Sequence, residues 1–304
     1  MAQWLPFDTI KRGNAMTIQQ EKRNNTKPIF WPDNAKLAIS ISMQFEAGGE
    51  PEHGFDSPFS GSPLPPEYPD LPAKTWFQYG YLEGIQRLLN LWDKYGIKVT
   101  SHMVGQAVLA NPELAKEIVK RGHEAAAHGM NWSPQFNMTW EEEKEFISAG
   151  VKAVREITGI TPRGYNCNWL RRSTNTISIL QELGFLYHID DLSRDEPFVL
   201  RVNDKPFVVV PYTIRCNDIV LIEGRHFTPD DFLNTLKHEF DQLYSEGGYR
   251  RRQMSISLHD RIGGTPTIVS VLDKFLTYVN QHSNVWFARK DEIAEWTLNN
   301  NLFV

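Results

Sequence analysis

Three side chains, each at the end of an apolar run, are of the types that move protons or hold water at a bond being broken. Glu46 follows "KLAISISMQF", His128 ends "HEAAAH" and His259 ends "MSISLH". A carboxylate among imidazoles can position water, shuttle a proton or bind a metal ion. Gly48 and Gly49 follow Glu46 and let the backbone turn sharply towards a ligand. To act as a base near neutrality, a carboxylate with a free pKa of about 4.3 must lose solvent, and Phe45 and Phe55 are the aromatic neighbours that would exclude it. The plainer readings are a surface carboxylate for Glu46 and a satisfied core histidine for His128 among its alanines. For His259, alternation sets Met254, Ile256 and Leu258 on one face and Ser255, Ser257 and His259 on the other, so it ends the small-residue face.

The spacing after His128 raises a metal question. A histidine ligand usually has a partner four residues on, one helical turn later. Position 132 is tryptophan. Glu46 and His128 would then be the only good protein ligands, with Asn131 a weak third, and two good ligands rarely hold zinc. No cofactor is expected, and zinc no more than weakly bound. Trp132 reads as a pocket wall.

These residues need elements to hold them. Strands are predicted at "KLAISISMQF", "IKVTSHMV", "HEAAAH", "RGYNCN", "FLYHI", "FVVVPY", "MSISLH" and "VWFAR". Between them lie amphipathic helices: "YLEGIQRLLNLWDKYG", "NPELAKEIVKRG" with Asn111 as N-cap, "TWEEEKEFISAGVKAVREITG" with Thr139 and Glu142 in capping-box register, and "TPTIVSVLDKFLTYVNQH". The alternation gives an α/β fold with a mainly parallel sheet, closed or doubly wound. No GxGxxG or Walker loop follows the first strand, which argues against nucleotide binding. In a barrel, functional side chains collect at the carboxyl ends of strands. Gln44, Glu46, His102, His128, Asn166, Asn168, Asp190, Asp191, Tyr212, His259, Asp260 and Arg261 fall there. His102 stands at even odds as a site residue, and His188 reads as structural. Residues 1–34 form a polar arm, and 35–304 a single domain. The Pro- and Gly-rich stretch 48–73, inside "GGEPEHGFDSPFSGSPLPPEYPDLPAK", reads as an irregular lid or interface loop.

Bulk properties narrow the partners. The 304 residues carry a net charge of -5, which disfavours nucleic acid, and Arg250–Arg252 reads as a solvated loop. No apolar segment reaches membrane-spanning length, and the N-terminus lacks a signal-peptide core. Cys167 and Cys216 are far apart with no CxxC pattern. A cytoplasmic protein with a small-molecule substrate is expected.

The segments "EAAAHGMNW", "GYNCNW", "FLYHIDD", "VVVPYTIRCND", "SISLHDRIGG" and "VWFARKDEIAEW" together resemble the NodB-type polysaccharide deacetylase superfamily, from about Trp31 to Trp296. More narrowly, they resemble its cytoplasmic branch of allantoinases and cyclic-imide hydrolases. The resemblance implies a distorted (β/α)7 barrel. Metal-dependent members carry two Asp on the first strand and an HxxxH pair, where this chain has Gln44 with Glu46, and His128 with Trp132. The allantoinase branch reads about YEEGGE and HGxxW, which implies a site without the metal triad. The implied reaction is hydrolytic opening of a small cyclic amide, ureide or imide. Glu46 would activate or position water, His128 hold water or polarise the carbonyl, and His259 protonate the departing nitrogen. Gln44, Trp132, Trp169, Asn217, Asp218 and Arg261 would contact substrate. Two departures bear on substrate: Gly264-Thr265-Pro266 replaces Gly-Arg-Pro, and "WLRRS" replaces WYTGR, so that either Arg171 or Arg172 would grip the ureide or carboxylate, or the ligand differs. Two alternatives stay open: a metal-dependent N-deacetylase and a non-catalytic metabolite-binding barrel. A homo-oligomer, dimer or tetramer, is expected.

Overall fold

The computed structural model describes residues 31–51, 57–58, 64–65 and 67–300. Residues 1–30 of the expected arm, Phe55 and much of the Pro-rich loop lie outside the described residues. The strands are β1 (Leu37–Phe45), β2 (Thr100–Met103), β3 (Glu124–Ala127), β4 (Gly164–Tyr165), β5 (Tyr187–His188), β6 (Phe198–Val202), β7 (Lys205–Val209), β8 (Arg252–His259) and β9 (Val285–Phe287). They form one sheet in the order β6-β7-β5-β4-β3-β2-β1-β8, with β9 also paired to β1. Every pairing is parallel except β6 with β7.

The sheet curls into a barrel-like wall, as expected of a distorted (β/α) barrel. Its closure beyond β8 is made by an irregular segment rather than a strand. Asn217 bridges Ser257, Thr213 Oγ1 accepts from the Ser255 N–H at 3.1 Å, and the Pro211 carbonyl accepts from Gln253 Nε2.

The period-2 pattern of β1 and β8 decides what faces each way. Leu37, Ile39, Ile41, Met43 and Phe45, with Met254, Ile256 and Leu258, belong to the main hydrophobic core outside the sheet. The helices are α1 (Leu71–Tyr79), α2 (Ile85–Tyr95), α3 (Gly105–Ala110), α4 (Pro112–Lys120), α5 (Trp140–Thr158), α6 (Thr176–Glu182), α7 (Pro229–Glu246), α8 (Asp260–Gly263), α9 (Pro266–Val279) and α10 (Lys290–Asn299); α2, α7 and α9 supply most of that core and α3, α4 and α5 a smaller part, while α6 and α10 belong to two smaller clusters. Ser40, Ser42 and Gln44 pair in register with Ser255, Ser257 and His259 on the inner face. The small serines admit Lys290, whose Nζ donates to Ser40 Oγ and Ser255 Oγ at 2.7 and 2.9 Å, while Gln44 and His259 stand at the carboxyl end.

Several local expectations are amended. β6 joins β7 as a hairpin through Asn203 and Asp204, both at positive φ (49° and 60°), the signature of a two-residue primed turn. The Asn-Asp pair in "RVNDK" was the legible signal. The stretch "DLPAK", expected to be irregular, starts α1: Asp70 Oδ1 accepts from the Ala73 N–H at 3.0 Å, and Pro72 sits in the first turn. Asn111 stands at the N-cap position of α4, as expected, but its side chain makes no capping bond and its Nδ2 donates to the Ala107 carbonyl. The Thr139–Glu142 capping box is present. Trp31, read as the end of the arm, is 2% exposed and donates from Nε1 to the Arg252 carbonyl, so the domain takes in residues 31–34.

Glycines bring α1 and α2 against the site. Between them a π-turn, Gly80–Gly84, packs on α8. A Cβ at Gly84 would lie 2.0 Å from the Asp260 carbonyl oxygen, and one at Gly80 2.6 Å from the Asp260 carboxyl carbon. Only glycine permits that approach.

Candidate active site

Glu46, one residue beyond β1, is fixed from behind. Its own N–H and that of Ala47 both donate to Asp260 Oδ2, at 3.1 and 3.0 Å. Its carboxylate faces three cationic or ionisable groups. Oε1 lies 3.2 Å from His128 Nε2 and 3.7 Å from His259 Nε2, and Oε2 accepts from Arg261 Nη1 at 2.9 Å. Each imidazole is pinned through its other nitrogen. His128 Nδ1 lies 2.7 Å from the Asn166 carbonyl oxygen, which can only accept, so Nδ1 carries the hydrogen. His259 Nδ1 lies 2.6 Å from Asp218 Oδ1, while the His259 N–H donates to Asp218 Oδ2 at 2.7 Å. Both Nε2 atoms are thereby turned to the same carboxylate oxygen. Beside them Gln44 Nε2 donates to Asn166 Oδ1, and Asn166 Nδ2 donates to Asp190 Oδ1 at 2.7 Å.

The charges set the roles. Burial alone would raise the Glu46 pKa, but the charge of His259, the hydrogen bond from His128 and the Arg261 guanidinium outweigh it and hold the carboxyl well below the usual range. Glu46 is therefore an anion under working conditions and a weak base; it orients its neighbours and water. For His259, burial pulls the pKa down, but Glu46 and Asp218 win and raise it above its ordinary value of 6.5. His259 keeps a proton to give. Burial pushes Asp260 up to about 6, against the pull of Arg261.

Arg261 is 1% exposed and enclosed by aromatic faces. Its guanidinium carbon lies 4.7 Å from the Phe77 ring centre, 4.8 Å from Trp76 and 5.0 Å from Trp132. Phe77 meets Trp132 edge-on at 5.2 Å. Trp76 and Phe77 were missed by sequence reasoning; the helix start at Asp70–Pro72, just before "TWF", was the signal that could have placed them.

The cleft has about 60 Å³ of enclosed space, narrower than a typical ligand pocket, within roughly 500 Å³ that runs out to open solvent. Gln44, Glu46, His128, Trp132, Trp169, Asn217, His259 and Arg261 all line it, as do Asn166 and Tyr212. Trp169 stands at the rim, 53% exposed, and both it and Leu170 have positive φ (54° and 59°). Such strain in consecutive bulky residues persists only where surrounding contacts hold it. Two expected contacts are not brought in. Asp218 is fully buried behind His259 and holds that ring instead of lining the cleft. Arg171 is exposed and outside the lining, as is Arg172. His102 lies buried beneath the site with its ring 6.4 Å from that of His128, and burial takes its pKa well below the ordinary value.

The donor set does not fit a tightly held divalent ion. Trp132 Nε1 bears a hydrogen and has no lone pair to give. The Asn131 side-chain oxygen, the weak third ligand considered from sequence, accepts instead from the Ser133 N–H at 2.9 Å. Arg261 also sets a positive charge against the carboxylate that would bind the ion. Among the described residues no group of three or more His, Cys, Asp or Glu side chains is arranged to hold a metal, and no helix is long and apolar enough to cross a membrane.

Residues 73–188 match the family described as polysaccharide deacetylase. The chain is 31% identical to the crystal structure of a "probable Polysaccharide deacetylase" from Pseudomonas aeruginosa PAO1, over 90% of this chain and 95% of that one, with a TM-score of 0.83. The crystal structure of PuuE allantoinase is similar to the same degree, at 31% identity over 89% of this chain and 93% of that one, TM-score 0.83. A Schizosaccharomyces pombe protein described provisionally as a polysaccharide deacetylase is 29% identical over 309 residues, 92% of this chain and 95% of its own.

Proposed function

The chain belongs to the polysaccharide deacetylase superfamily of hydrolases acting on carbon–nitrogen bonds, and within it we propose that it opens a small cyclic amide, ureide or imide, as an allantoinase does. The observation that carries this reading is Trp132. It stands four residues after His128, where a second histidine ligand would be, and with Phe77 and Trp76 it walls in Arg261 beside the cleft. The likeness to PuuE allantoinase supports it.

The chemistry follows from the positions. Water held between Glu46 Oε1 and the free Nε2 of neutral His128 attacks the ring carbonyl carbon; Nε2 takes the proton it sheds, and the Glu46 anion stabilises the imidazolium that forms. His259, its Nδ1–H held by Asp218, gives a proton from Nε2 to the ring nitrogen as the C–N bond breaks. The products are a carboxylate and a freed N–H group. Trp132 and Trp169 flank a planar ring in the cleft, and Asn217 and Gln44 offer amide groups to its polar edge.

A panel of allantoin, hydantoins, succinimide and acetylated chitooligosaccharide tests this. Ring opening without acetate release is expected. Acetate release with no ring opening would favour the second reading, a metal-dependent N-deacetylase, which the names of two of the relatives favour.

A further inference from the structure

We propose that Arg261 is a built-in positive charge that takes the place of a divalent cation at Glu46 and keeps one out. It acts through Glu46 and is a positioning residue. The inference deepens the metal-free reading of the same site.

Three observations support it. First, Glu46 Oε1 and the Nε2 atoms of His128 and His259 converge, and each ring is fixed by an oxygen acceptor on Nδ1. That second-partner arrangement is the one that orients histidines towards metals. Yet the other carboxylate oxygen, Oε2, is already held by Arg261 Nη1 at 2.9 Å. A divalent ion on Glu46 would lie within a few ångströms of the guanidinium, in a setting where like charges are poorly screened.

Second, the guanidinium is almost wholly buried. It is 1% exposed, and Trp76, Phe77 and Trp132 stand around it at 4.7–5.0 Å. Aromatic faces stabilise a desolvated cation through their quadrupoles. Among the described residues its Nε has no hydrogen-bond partner, and the rings and two carboxylates stand closest to the guanidinium: Glu46, and Asp260 at 3.7 Å. Third, Trp132 contributes to the cage from the position a second histidine ligand would fill. One residue thus both withholds a metal donor and forms a cage wall.

The test reads cobalt binding, which needs no substrate and stands whether or not a cyclic amide is turned over. Trp132→His supplies a third nitrogen; Arg261→Met removes the charge while filling the space, and Arg261→Lys keeps it. Co²⁺ is titrated into the wild type, W132H, W132H/R261M and W132H/R261K, following the visible absorption of tetrahedral cobalt. W132H/R261M is expected to bind at least about tenfold more tightly than W132H or W132H/R261K, because only it lacks the nearby positive charge. In activity assays R261K should retain more kcat than R261M. Equal cobalt affinity in W132H and W132H/R261M, or tight binding by the wild type, would overturn the proposal. Should the methionine variants fail to fold, Arg261→Gln serves as the neutral replacement in the same comparison.

Discussion

His259 and Asp218 show how one buried residue sets the pH behaviour of another. The His259 pKa is raised above 6.5 by Glu46 and Asp218 in spite of burial. If His259 gives the proton, kcat/KM should fall as pH rises through that raised value, since the acid is then lost. Asp218→Asn removes one of the two charges that raise it, so the falling limb should move to lower pH, and a pH–rate profile checks this. A matching stability change is expected: the His259 contribution is full below its unfolded pKa of about 6.5 and is lost as pH rises through the folded value. Glu46→Ala and His259→Ala should each lower kcat on the order of 10²-fold or more, measured at saturating substrate. Both residues were readable as strand-end side chains. Asp218 was read as a substrate contact because the sequence gives its neighbourhood, not the direction in which its carboxylate points.

At the scale of elements, the short helix α8 carries both Asp260 and Arg261, and its seat is glycine. Gly84→Ala would push a methyl group to within 2.0 Å of the Asp260 carbonyl oxygen, which is backbone and cannot swing aside. The variant should lose about 1–3 kcal/mol of stability, as overpacked sites do, and should also lose kcat because the Glu46 and Ala47 N–H groups are both tied to Asp260. Denaturant melts and turnover of the folded fraction separate the two effects. The strands β1 and β8 were legible because alternation marks a sheet with unlike faces. The hairpin strand β6 and the start of α1 were not, since their signals are two or three residues long and sit among Pro, Asn and Asp, which also mark loops.

For the whole molecule, the donor set and the Arg261 charge set an expected outcome for metal. Purified protein should carry far less than one equivalent of transition metal, and chelator should leave its activity intact; elemental analysis and assays after chelation test both. Stoichiometric zinc with activity lost on chelation and restored by metal would show that the donor set is read wrongly. Light scattering should find a dimer or tetramer, and a monomer with full activity would remove any role for a neighbouring subunit at the cleft.

The order of strands and helices, the face that each strand turns inward and the residues at the strand ends follow from period, caps and breakers, all of which are local. The sequence therefore sufficed for a mainly parallel α/β fold and for placing Glu46, His128 and His259 at strand ends, where the structure brings the three side chains together. The tertiary structure alone decided which polar groups meet. Glu46 touches Arg261 across 215 positions and His128 across 82, and His259 is held by Asp218 across 41. It also turned Arg171 out to solvent and folded Trp76 and Phe77 onto Arg261. Such contacts depend on how far the sheet curls and how closely glycines let helices approach, and no short stretch of chain encodes either.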